Sequence, residues 1–183
     1  MSETQGLPTL TQVQLLPDAE LVLRYKTGVE NFDARAVRLS DAELDTAFFA
    51  EAGVGTWPCR VLLGHLADAE LAFVFRLRKV VAEEHPVLEA WDEGAFIDCQ
   101  RMYGTPTTGA RFPVGAFVAA IHTLRLWTGT WLESLPAEAW GRTGLHVERG
   151  EQHLRLIAQY ATWHLEHHAW YLNAKVVRLR GPA

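Results

Sequence analysis

Four stretches of this chain repeat their apolar residues at the three- and four-residue spacing of one helix face, and none alternates them as a half-buried strand would. From about residue 18 to 38 the repeat runs through Leu21, Tyr25, Gly28, Val29 and Phe32, with charged residues between. Pro58 suits a helix start, and Val61, Leu62, Leu66, Ala69, Ala72, Phe73, Leu77 and Val80 carry a second helix to about Glu84. Val114 to Leu135 forms the third, stopped by Pro136, and about Glu151 to Leu179 the fourth, stopped by Gly181 and Pro182. Four apolar stripes bury one another in a bundle, so the expected fold is all-α, a four-helix bundle of antiparallel or crossover type. Ser40 to Glu43 reads as a capping box opening a short helix, and His85 to Pro113 as a long connection holding short extra helices.

The 183 residues fit a single domain over 1–183, with residues 1–16 expected to be a loosely ordered lead-in. No apolar run is long enough to cross a bilayer, and the polar start has no signal-peptide pattern, so a cytoplasmic protein is expected. Two cysteines, Cys59 and Cys99, make a disulfide framework unsuitable and read as buried or inert thiols. A net charge of -5 argues against a nucleic-acid surface, and Arg76, Arg78 and Lys79 read as a solvated helix face. No GxSxG elbow, Walker-type loop or GxGxxG is present, which sets nucleotide cofactors aside.

The chemistry concentrates in histidines. His164 and His168 lie about 40° apart on a helical wheel, one turn from each other, so both can reach one ion. His167 offers a rival pair, but Leu154, Ile157, Ala161, Leu165 and Leu172 place the apolar stripe on the side of His168. His65 falls within the inward stripe of the second helix, where an imidazole without a partner costs about 1–3 kcal/mol. Three imidazoles with open coordination positions suit Zn, Ni or Fe. An HxxxH pair alone is a weak motif, equally met by helix histidines bonded to neighbours or solvent.

The segments TWPCRVLLGHLADAELAF (Thr56–Phe73), LESLPAEAWGRTGLHVERG (Leu132–Gly150) and ATWHLEHHAWYL (Ala161–Leu172) add context in their order and spacing. With them the chain resembles, over most of its length, the DinB-like superfamily of metal-binding four-helix bundles, also called the YfiT-like family. The resemblance places the family's helix-two ligand on His65 and its closing HxxxH on His164 and His168. It implies no DNA binding despite the family name. It also implies an enzyme in which a divalent metal activates water or a low-molecular-weight thiol, as in metal-dependent thiol transferases. The other reading is a noncatalytic metal- or small-ligand-binding protein of a stress response. A purely structural clamp is less suited, because structural zinc is usually closed by four protein ligands.

Several further residues are left with two readings each. His146, in GLHVERG, could face the metal pocket and act on substrate or water, though its loop setting favours the surface. His153 could wall the pocket, cap the fourth helix or sit in the core. Tyr160 and Tyr171 could bond a ligand or form core edges. Asp68 and Glu148 could orient ligand imidazoles or stand solvated. Trp163, His167 and Trp170 share a second face of the fourth helix, expected to pack on another helix or on a second copy in a homodimer.

Overall fold

The computed structural model describes residues 6–99, 101–104 and 111–182. In chain order they form α1 (Leu10–Gln14), α2 (Asp18–Thr27), α3 (Asp41–Leu44), α4 (Cys59–Ala82), β1 (Val87–Leu88), α5 (Glu93–Asp98), α6 (Val114–Glu133), β2 (Thr143–His146), β3 (Gly150–His153) and α7 (Leu154–Arg180). The bundle is α2, α4, α6 and α7. Both α2 and α4 pack against both α6 and α7, so the helices run α2, α6, α4, α7 around the bundle. Consecutive helices α2 and α4, and again α6 and α7, therefore sit diagonally. This is the crossover alternative, and it needs the long segments that precede α4 and α7.

Local chemistry explains where the elements differ from expectation. The first helix stops at Thr27 and tightens into a 3-10 turn over Gly28–Asn31, with a second such turn at Ala36–Arg38. Beyond it, the Asn173 amide donates to the Asn31 carbonyl (2.8 Å) and accepts from the Asp33 amide (2.7 Å), taking groups a continuing helix would use. Gly28 also lies so close to α7 and α6 that a Cβ there would stand 2.7 Å from Leu165 and 2.8 Å from Arg125. The Ser40–Glu43 capping box is present and starts α3. Within the lead-in, Leu10–Gln14 form α1: Thr9 and Gln12 cap it reciprocally, and Val13 is fully buried in the core.

A small sheet is the main departure from the periodicity. β1 pairs in parallel with β2, and β2 antiparallel with β3, with Gly144 opposite Gln152 and His146 opposite Gly150. These strands of two and four residues are too short to show a period, and Gly150, at φ 74°, supplies the left-handed turn that pairs β2 with β3. Because residues 150–153 are strand, α7 begins at Leu154.

The supposed solvated basic face is engaged: Arg76 donates twice to the Glu89 carbonyl, Arg78 lies 3.7 Å over the Trp127 ring, and Lys79 donates to Val87 O. Cys59 is buried, which pushes its thiol up to about 11, whereas Cys99 is exposed rather than buried. Trp163 donates to the Pro8 carbonyl (3.0 Å), so the chain's own N-terminal segment covers this part of the second face of α7. Among the described residues no helix is long and apolar enough to cross a membrane.

One polar network crosses the bundle. Arg125 of α6, 1% exposed, donates to Glu70 of α4 (2.7 Å), to the Tyr25 carbonyl of α2 (3.1 Å) and to the Ala161 carbonyl of α7 (2.6 Å). The Tyr25 hydroxyl donates to the second oxygen of Glu70. Breaking a buried pair strands a charge, so Glu70→Ala or Arg125→Met should each lower unfolding free energy by about 3–5 kcal/mol in urea titrations. The double substitution Glu70→Ala with Arg125→Met should cost less than the sum of the single effects. Strict additivity would show that the pair does not act as a unit.

Candidate metal centre

The second helical stripe carries His65 on α4, and the fourth carries His164 and His168 one turn apart on α7. Because α4 and α7 are neighbours in the bundle, these stripes face each other. The structure brings one ring nitrogen of each histidine within 4.8 Å of the others. His65 Nε2 and His164 Nε2 lie 3.2 Å apart. Two nitrogens about 2.0–2.1 Å from one ion, at tetrahedral to right angles, stand about 2.9–3.4 Å apart, so this spacing fits a shared ligand role. No carboxylate or thiol joins the group among the described residues.

The electrostatics fit the same role. Burial lowers His65 to about 4 and His168 to about 3, and it lowers His164 strongly, with added repulsion from its two partners. All three are neutral near pH 7 and offer lone pairs to a cation. Aromatic rings enclose them: Trp57 lies 5.1 Å from His65 and 5.9 Å from His168, Trp91 stacks on His65 at 5.5 Å, and Phe73 meets His164 at 5.6 Å. The Cβ-free edge of Gly64 lets the Tyr103 ring lie directly on α4 beside His65.

A cavity of about 460 Å³ adjoins the cluster, with His164 in its wall. Trp91, Phe73, Arg76, Tyr160, Arg149 and His146 line it as well. His146 is therefore not a surface histidine: it is 3% exposed and turned to the cavity. Its Nδ1 accepts from the Glu148 amide (3.2 Å), which leaves the proton of the neutral ring on Nε2. Burial, then the charges of Arg76 and Arg149, lower its pKa and favour the neutral ring.

The remaining candidates sort by position. His153 caps α7 by accepting from the Leu156 amide and does not wall the cavity. Tyr160 does, stacked at 6.4 Å on His164, whereas Tyr171 packs with the core at the other end and against His167. Neither expected carboxylate orients a ligand: Asp68 faces Tyr103, and it is the backbone of Glu148 that meets His146. His65 Nδ1 is buried without a hydrogen-bond partner among the described residues. Reading the sequence missed Trp57, Trp91 and Arg149. Their only signal was an aromatic or cationic residue in a segment without period.

The model of the DinB superfamily matches residues 9–172. The chain belongs to the DinB superfamily. A Bacillus pumilus protein named "Putative metal-dependent hydrolase" is 25% identical, over 81% of this chain and 79% of its own length. A protein of the same description from Oceanobacillus iheyensis is 27% identical, over 75% and 73%. The solved structure of YfiT from Bacillus subtilis superposes with a TM-score of 0.73 at 20% identity, covering 88% of this chain and 87% of that one. It is described as "a probable metal-dependent hydrolase with an unusual four-helix bundle topology". At that identity the likeness shows the fold, and the diagonal succession of helices in this DinB chain is in keeping with it.

Elemental analysis of the full chain, made without a histidine tag or added metal, should find near-stoichiometric divalent metal. His167→Ala should keep it, while His65→Ala and His168→Ala should each lose most of it. Full metal in both of the latter would remove the ligand assignment.

Proposed function

We propose that this DinB-superfamily chain is a metal-dependent hydrolase whose divalent ion, Zn, Ni or Fe, is held by His65, His164 and His168. One observation carries the reading: three neutral imidazoles converge from two helices, without a fourth protein ligand among the described residues, beside a cavity large enough for a small substrate. Structural zinc sites are usually closed by four ligands, so a set of three leaves room for an exogenous molecule. A divalent ion bound there would supply Lewis acidity and lower the pKa of water or a thiol that it binds. The relatives' names support hydrolysis, and thiol transfer would use the same open position with a low-molecular-weight thiol as the nucleophile.

The protein's own part is placement. α4 and α7 hold the imidazoles, and Trp57, Trp91 and Phe73 keep water from their sides. His146 Nε2–H offers a hydrogen bond to a substrate oxygen in the cavity.

Assays of the metal-loaded chain on p-nitrophenyl acetate, and on glutathione with chlorodinitrobenzene, separate the readings. Ester hydrolysis that is lost with chelator, lost in His168→Ala and lowered up to about 10²-fold in kcat by His146→Ala is the expected result. Turnover only with the thiol would move the assignment to transfer. Metal binding without turnover of either would favour a binding protein, and undiminished turnover after chelation would end the metal-dependent reading.

A further inference from the structure

We propose that the cavity beside the three histidines holds the oxyanion of its substrate, a carboxylate or phosphate, between the guanidinium groups of Arg76 and Arg149 and the Nε2–H of His146. The inference rests on reading this cavity as the substrate site and names the chemical class it selects.

The first observation is a buried guanidinium that no carboxylate reaches at ion-pair distance, Glu148 attracting it only through space. Arg76 is only 9% exposed, and it donates to one carbonyl, Glu89 O, from Nε at 3.2 Å and Nη2 at 2.7 Å. A guanidinium has five N–H donors, so about three are left over from the Glu89 carbonyl in a side chain that lines the cavity. Among the described residues no carboxylate forms an ion pair with Arg76 or Arg149. Every other deeply buried arginine here has one: Arg60 pairs with Asp45 and Arg125 with Glu70. A charge taken out of water is tolerated when something of opposite sign meets it.

The second observation is convergence. Arg149 lies with its guanidinium 4.5 Å over the Tyr160 ring, which holds its plane at the cavity wall. Arg76 and Arg149 are near enough to repel each other, and both repel a proton on His146. Two cationic donors and one neutral one, brought together from α4, the β2–β3 turn and β2, suit a group that accepts several hydrogen bonds at once, and planar guanidinium forks match carboxylate and phosphate. Three carboxylates also line the cavity: Asp92 accepts from the Ala95 amide as the cap of α5, Glu93 is solvent-exposed, and Glu148, also exposed, offsets part of the positive field at Arg76 and His146 without pairing with either arginine.

The test is an NMR titration of the full chain, as purified and after chelator treatment, with sodium acetate, inorganic phosphate and, as an uncharged analogue of acetate, acetamide. Saturable shifts of the Trp91 indole with acetate or phosphate in the chelator-treated chain, and none with acetamide, are expected. The stronger of the two anions tells carboxylate from phosphate. Arg149→Gln, at an exposed position, and Arg76→Lys should each weaken that binding about tenfold or more while the fold-sensitive spectrum is unchanged. Absence of saturable anion binding, or undiminished binding in both variants, would overturn the proposal. Because the chelated chain is used, a wrong metal assignment would appear in the elemental analysis and leave this titration as it is.

Discussion

Arg125 is the group on which the bundle's register depends. Its guanidinium, fully inside the protein, reaches one atom on each of the other three helices: Glu70 on α4, the Tyr25 carbonyl on α2 and the Ala161 carbonyl on α7. Apolar stripes attract without direction, so on their own they permit neighbouring helices to slide or rotate by a residue. A buried guanidinium does not permit that, because a shift would leave a charge or an acceptor unpaired in a region with no water to replace the partner.

The network matters for the metal centre because of where it lies. Ala161 is about one helical turn before His164, and Glu70 is little more than a turn beyond His65. The Arg125 contacts therefore set the height of α4 against α7 within a few ångströms of where His65 must meet His164. His65 Nε2 and His164 Nε2 approach to 3.2 Å beside that setting. The same guanidinium adds to the forces that keep His164 unprotonated, although burial is the larger cause. A polar contact that helps specify the fold thus also lies beside the ligand pair and adds to what keeps His164 neutral.

What could be read in the sequence follows the same physics. The long helices, the inward place of His65 and the facing of His164 with His168 were legible because a helix imposes a period, and a period survives into the sequence; that His65 joins the other two came from the family resemblance. The wheel angle alone separated His168 from His167, and the cluster contains the former. Arg125 was legible in principle, since it stands four residues after Ile121 on a stripe that continues to Thr128 and Leu132, all buried. Its meaning was not, because the partners Glu70 and Tyr25 lie 55 and 100 residues away. The β2–β3 hairpin was illegible for a different reason. Its pairing with β1 depends on contacts between segments too short to carry a pattern, so His146 read as a surface residue.

That division has a consequence for how such a site can change. The nitrogens that would hold a metal stand on two long, well-packed helices whose relative height is locked by Arg125. The groups that would meet the substrate, His146 and Arg149, stand on a short hairpin attached by β1 pairing and by Arg142, which donates to the Val80 carbonyl at the end of α4. Loops and hairpins tolerate substitution better than packed helices, because fewer buried contacts depend on them. Residues in the hairpin can therefore alter which molecule enters the cavity while the imidazole geometry stays fixed. Arg76 is the exception, since it stands on α4 with the ligand His65 and binds the Glu89 carbonyl, so it couples the helix to the cavity's other wall. A cationic group at that position belongs to the scaffold as much as to the pocket, and it is the hairpin's partner residues that are free to tune what it receives.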